Sequence, residues 1–280
     1  MTERTTEQDD LIAAPVPGGA YTFNVKEFPW WLVAMLVIIG ALVLAIIFNE
    51  DYREAFESIF PVPLRLAEGI LMTLYLTFGS FMVAMAVGLG IGLARVSKNA
   101  FVSNIAATYI EFVRGIPMLV FIFLIALVLI PDFADLLEVE SRAIPQAIRG
   151  AAALVLFYAA FIAEVFRAGI QSVPREQPEA GRALGLSDRQ IMRRVVLPQA
   201  VRNMLPALGN DLISLMKDTS IVSVLAVREV TQMARLYSGS TFRFRESFFI
   251  LVVIYVVLTL VLSLALRWYE RRIAIPGRVI

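Results

Sequence analysis

The sequence predicts an all-α polytopic membrane protein of about six spanning helices. Two observations carry that prediction. Of 280 residues, 59% are hydrophobic and only 18% charged, and the mean hydropathy is +0.74. A water-soluble domain of that length would need more charge on its surface. Several apolar runs also approach or exceed the roughly 20 residues that cross about 30 Å of hydrocarbon.

Residues 1–29 are polar, with acidic Glu3, Glu7, Asp9 and Asp10 and the turn-forming PVPGGA, and read as a flexible tail. Residues 30–48 form the first apolar run. It opens on Trp30-Trp31, which suits the headgroup depth of an aromatic belt. The acidic tail, the long run and the missing small-residue cleavage site argue against a cleavable signal peptide. Five further apolar segments follow at about 64–94, 101–130, 144–167, 203–227 and 247–266. Gly79, Gly88, Gly90 and Gly92 in the first of these have the spacing that lets membrane helices approach closely. No internal repeat is visible, so the inverted-repeat build of many secondary transporters finds no support.

About six crossings put both termini on one side. Most of the arginines and lysines fall there, with Arg189, Arg193 and Arg194 in one connection and Arg267, Arg271 and Arg272 near the end. A smaller set, including Arg142, Arg149, Arg228 and Arg243, falls opposite. The bias places both termini and the connection at 168–202 in the cytoplasm.

That connection contains the most polar stretch inside the apolar part of the chain, PEAGRALGLSDRQIMRRVVLP at 178–198. Pro178 suits a helix's first turn, where its missing N–H costs nothing. Glu176 and Glu179 bring negative charge to the helix's positive end. Gly185 stands where a left-handed stop belongs. Ser187 with Gln190 three residues on reads as a capping box, Leu186 with Ile191 as the matching hydrophobic staple, and Pro198 as the end of the second helix. The stretch therefore encodes a helix, a glycine corner and a second helix. Either this is a hairpin packed on its own membrane helices or a rigid knob that docks a partner.

The stretch resembles the EAA loop of permease subunits of bacterial ABC importers: Glu-Ala-Ala, three residues, Gly, nine residues, Ile, one residue, Leu-Pro. Here the pattern is carried by Glu179, Ala180, Gly181, Gly185, Val195, Leu197 and Pro198, with Gly181 in place of alanine and Val195 in place of isoleucine. The likeness spans about 64–272 and includes EFVRGIPMLV (111–120), FIAEVFRAGIQSVP (161–174), the stretch from Leu197 to Val227, and ERR (270–272). Those flanks are similar to the polar amino-acid subgroup, which carries residues such as glutamate, glutamine, arginine and histidine. The resemblance implies a type I ABC-importer-like transmembrane domain at 64–272, with the coupling loop at 168–202 and an additional helix at 30–48. It implies a multi-pass protein of the bacterial inner membrane that works with an ABC ATPase dimer, an extracytoplasmic binding protein and a second permease, itself or a sister. The loop would seat on the ATPase.

No GxxxxGK[ST] phosphate loop exists, because no lysine follows a glycine. The chain therefore binds no ATP by that route, and ATP is expected on the partner; no cofactor and no metal site is expected in the chain itself. It has no His and no Cys, which excludes zinc sites built on those residues, thiol catalysis and a histidine base. With no nucleophile–base constellation, an enzyme is a poor alternative; an ATPase-independent secondary transporter of small polar solutes is the better one.

Ionisable groups inside a membrane are costly and face a cavity or a partner. Glu111, Arg114, Lys217 and Asp218 fall near mid-depth, and Glu164 lies three residues before Arg167 toward a helix end. Glu111 and Arg114 have the spacing of a local ion pair, as do Glu164 and Arg167. Lys217 and Asp218 are adjacent and need separate partners. Pro117 should break or kink the helix that holds Arg114. These groups either fix helix packing or line a path for a zwitterionic substrate.

Overall fold

A computed structural model describes residues 30–60 and 63–273. The tail expected at 1–29 lies outside the described residues. Among them all regular structure is helical. The chain divides into two units, Met1–Ala41 and Leu42–Ile280. The helices are α1 (Trp30–Phe48), α2 (Glu50–Ile59), α3 (Pro63–Arg95), α4 (Ala100–Arg114), α5 (Met118–Phe123), α6 (Ile130–Leu136), α7 (Gln146–Gln171), α8 (Glu176–Ala183), α9 (Asp188–Ile191), α10 (Leu197–Asp218), α11 (Val230–Thr241) and α12 (Phe244–Ile273).

Among the described residues, five stretches are long and apolar enough to span a membrane: Trp30–Phe48, Ala67–Arg95, Met118–Leu136, Gln146–Gln171 and Phe244–Arg272. The run expected at 101–130 is not one helix. It breaks after Arg114, and Pro117 starts the next helix, because proline disfavours a helical conformation in the residue before it. The segment expected at 203–227 is also divided. Helix α10 ends at Asp218, a 3₁₀ stretch covers Thr219–Leu225, and left-handed Ala226 (φ 58°) turns the chain back toward α11. At 1.5 Å per residue α10 is about 33 Å long, enough to cross, but Arg202, Asp211, Lys217 and Asp218 make it more polar than the five.

Helices α3 and α7 form the centre of the second unit. In hydrocarbon, helix association rests on close packing rather than on expulsion of water, so small residues decide which faces meet. A Cβ on Gly88 would stand 2.9 Å from Ile162 Cγ2, and one on Gly92 2.9 Å from the Ala163 carbonyl. Those two glycines are what let α3 lie against α7; Gly79 and Gly90 face open space. The main core gathers Leu76, Ala84, Ile122, Leu154, Ile162 and Leu215. A second cluster joins α2, α11 and α12 through Ile59, Val230, Ala234 and Ile250. There α2 is clamped to the start of α12: Arg243 Nη1 lies 2.9 Å from Glu54 Oε2, and Tyr52 stacks on Phe249 at 4.7 Å.

Candidate functional site

The corner between α7 and α10 has its own core. Val173, Ile191, Val196, Ala200 and Met204 are buried together, with Leu186 and Val195 packed against them. The corner is therefore fastened to the ends of both long helices.

Its backbone closes as the local rules require. Gly185 sits at φ +76°, in the left-handed region. The Gly185 N–H donates to the Arg182 carbonyl at 2.9 Å and the Leu186 N–H to the Gly181 carbonyl at 3.1 Å, the two bonds of a Schellman stop. Ser187 then caps α9: the Gln190 N–H donates to Ser187 Oγ at 3.4 Å, and the Ser187 N–H to Gln190 Oε1 at 2.9 Å. Arg182 Nε reaches Asp188 Oδ1 at 3.3 Å across the turn, an exposed pair that adds little. Pro178 does fall in the first turn of α8, which begins at Glu176.

One expectation is overturned. Pro198 does not end the second helix. After Ile191 the chain passes through a π-helical turn, Met192–Val196, and continues as α10 with Pro198 in its first turn. The corner thus runs straight into α10, and the connection expected at 168–202 narrows to 172–196, since α7 extends to Gln171.

The motif residues divide by direction. Glu179 and Ala180 are exposed on α8, beside Leu184, which is 81% exposed. Gly181 is buried against Ile191, where a Cβ would meet Ile191 Cγ1 at 3.0 Å. Val195 packs inward, and Leu197 and Pro198 border a groove with Val201, Arg202, Leu205 and Tyr269. Leu184 was not singled out from the sequence; its signal is a large apolar residue directly before the corner glycine, among small neighbours.

A cavity of about 370 Å³ opens between α4, α7 and α10 and is lined by Arg114, Phe161, Glu164, Asn203, Met204 and Asp211. The Arg114 guanidinium lies 5.7 Å from the Phe161 ring centroid. Glu164 is paired with Arg167, whose Nε donates to Oε2 at 2.9 Å, so the expected local pair forms on the cavity wall. Asp211 Oδ2 is buried without a hydrogen-bond partner among the described residues. The structure thus joins two of the five expected path residues, Arg114 and Glu164, and adds Asp211.

The other three lie apart. Glu111 is exposed and forms no ion pair with Arg114, whose side chain turns to Phe161 instead. Lys217 is exposed, and Asp218 accepts from the Tyr158 hydroxyl at 2.7 Å. That bond gives Asp218 the separate partner its position requires.

Residues 86–275 match the family described as binding-protein-dependent transport system inner membrane component. The chain is 34% identical to the probable amino-acid permease protein YxeN of Bacillus subtilis, over 80% of this chain and 97% of the relative. It is 35% identical to the glutamine transport system permease protein GlnP of Escherichia coli, over 78% of this chain and 97% of the relative. A solved amino acid ABC transporter with histidines aligns at 37% identity and TM-score 0.68, covering 78% of this chain and 98% of that one. The inward-facing MetNI methionine ABC transporter aligns at 23% identity and TM-score 0.65, covering 77% and 99%, and shares the fold.

Proposed function

The chain belongs to the family of binding-protein-dependent transport system inner membrane components, and from that premise we propose that its 172–196 corner couples a separate ATPase to amino-acid import. The chain is a membrane permease subunit of an ABC importer, a transport component rather than an enzyme; ATP hydrolysis belongs to the separate ATPase subunit.

The observation that carries the coupling assignment is the closed corner with its α8 face turned outward. The Schellman stop, the capping box and a private core fix its shape, while Glu179, Ala180 and Leu184 project from it. A stiff body fastened to α7 and α10 passes rigid-body motion on, whereas a soft loop would absorb it. When ATP draws the ATPase dimer closed, the seated corners would swing the paired permeases between inward- and outward-open forms. The second permease is another copy or a sister chain, and an extracytoplasmic binding protein delivers the amino acid. ATP sits on the partner, and the chain itself holds no cofactor.

On this reading the corner faces the cytoplasm, as the basic bias indicates, and so do both termini. Residues 30–48 add a helix ahead of the importer domain at 64–272. The native chain has no cysteine, so a single Ala180→Cys reports cleanly. A thiol-directed crosslinker should join it to the ATPase subunit in the assembled complex. A crosslink to the binding protein alone would sink the assignment.

The cavity supports a second element of the same function. A cation and two carboxylates, Arg114, Glu164 and Asp211, face a space of about 370 Å³. That charge set suits the carboxylate and ammonium of one small zwitterion in a low-dielectric site.

A further inference from the structure

The described residues contain two π-helical turns, and each runs into a proline: Leu124–Leu129 is followed by Ile130-Pro131, and Met192–Val196 by Leu197-Pro198. Proline supplies a steric reason at both places, although Pro206 lies inside α10 with no π turn before it. Proline offers no N–H, and its ring crowds the carbonyl four residues back, that of Leu127 or Arg194. Widening the turn relieves the crowding and shifts the ladder: the Ile130 N–H reaches the Ile125 carbonyl, and the Leu197 N–H the Met192 carbonyl, each five residues back. In each turn a side chain then donates to a carbonyl. Arg149 Nη1 donates to Ala126 O at 3.1 Å, and Gln199 Nε2 to Val195 O at 3.0 Å.

The second of these turns lies where the corner joins α10. We propose that Gln199 is a positioning residue for energy coupling, its amide fixing the π turn that sets the rotational phase of the α8–α9 corner about α10. The inference rests on the coupling assignment above. One residue more or less in a helical turn rotates everything beyond it by about 100°. Ile191 and Val196, on the corner side of the junction, are buried against Ala200 and Met204 on the α10 side. Those contacts hold in one register only. Val195 is half-buried, and Gln199 supplies its carbonyl with a donor from the next turn. Without that donor the π register loses ground to its alternatives, and the corner slips relative to α10 when the ATPase pushes on it.

The test uses the complete complex of this chain with its ATPase and binding protein in proteoliposomes. Gln199→Leu keeps bulk and removes the donor; Gln199→His keeps an N–H at similar reach. Gln199→Leu should retain the ATPase and basal hydrolysis but lose uptake per ATP hydrolysed on the order of fivefold, the worth of one such hydrogen bond. Gln199→His should recover most of it. Spin labels on Arg189→Cys and Val201→Cys, both exposed in the described structure, should give a narrow distance distribution that broadens in the Gln199→Leu background. A wild-type coupling ratio in Gln199→Leu, failure of histidine to rescue, or dissociation of the ATPase would each overturn the proposal. Failure of the coupling assignment shows separately, as loss of the Ala180→Cys crosslink in a chain that keeps Gln199.

Discussion

Arg149, 6% exposed at the start of α7, donates through Nη1 to the carbonyl of Ala126 inside the first π turn, 3.1 Å away. The same guanidinium donates through Nε to the Ile144 carbonyl at 3.2 Å, and through Nη2 to Ser141 Oγ at 2.9 Å and the Ser141 carbonyl. Among the described residues no carboxylate takes part: the buried charge is held by Ser141 Oγ and by carbonyls that the π turn and the 141–144 connection leave pointing inward. Arg149→Met should therefore lower stability by about 2–4 kcal/mol, because several buried acceptors lose their donor at once. The thermal unfolding midpoint of the purified chain reads this directly. A midpoint within error of wild type would mean that water replaces the guanidinium.

That arginine also marks where sequence reading stops. Arg149 counts simply as a basic residue in the charge bias, since its partners are carbonyls whose direction depends on a π register that no local pattern announces. Gly185, Ser187 and Gln190 were legible because a Schellman stop and a capping box are rules of adjacent residues. Pro198 was not: a proline after a helix fits a stop and the first turn of the next helix equally well, and local sequence does not decide between them. Spacing alone likewise paired Glu111 with Arg114, while the Phe161 ring on α7 takes the arginine. Asp211 was overlooked inside an apolar run, although it lies seven residues before Asp218, on the same face of α10.

Glu229 gives a pH dependence outside the spanning segments. It is fully buried at the start of α11 and accepts from the Thr231 N–H at 2.8 Å, the Gln232 N–H at 2.7 Å and the Tyr255 hydroxyl at 3.0 Å. Burial nevertheless dominates and pushes its carboxyl above the usual range. The folded chain then binds this proton more tightly than the unfolded chain does. Its contribution to stability is full below the unfolded value of about 4.3 and is lost as pH rises through the raised folded value. Mild acidification from neutral pH should raise the unfolding midpoint of wild type and do so less in Glu229→Gln. Parallel midpoint-against-pH curves for the two would refute this account of Glu229.

At the corner, a Cβ on Gly185 would meet nothing within 4 Å, so only the left-handed backbone opposes substitution. Gly185→Asn should accordingly keep most uptake, since asparagine tolerates that region. Gly185→Val should cost roughly 1–2 kcal/mol locally and abolish coupling with the chain still inserted. Glu179→Lys should uncouple for a different reason: it is exposed, and it places positive charge in the first turn of α8. Wild-type uptake by both Gly185→Val and Glu179→Lys would remove the corner from the mechanism.

The cavity residues separate by what each already has. Glu164 carries a partner in Arg167, so Glu164→Gln removes one side of a pair as well as a charge facing the cavity, and it should cost both stability and uptake. Asp211 is different, because its Oδ2 is buried without a hydrogen-bond partner among the described residues. A carboxylate oxygen buried without a partner destabilises the chain that holds it. Asp211→Asn relieves that cost, so its unfolding midpoint should equal or exceed that of wild type. If Asp211 meets the ammonium of a passing amino acid, uptake should fall about tenfold, the kinetic equivalent of about 1.4 kcal/mol of lost interaction. Basal ATP hydrolysis should stay intact. A stabilised chain with impaired uptake is what a substrate-facing carboxylate predicts, and a purely structural one does not produce that combination. Unimpaired uptake in Asp211→Asn would place the amino acid's route elsewhere.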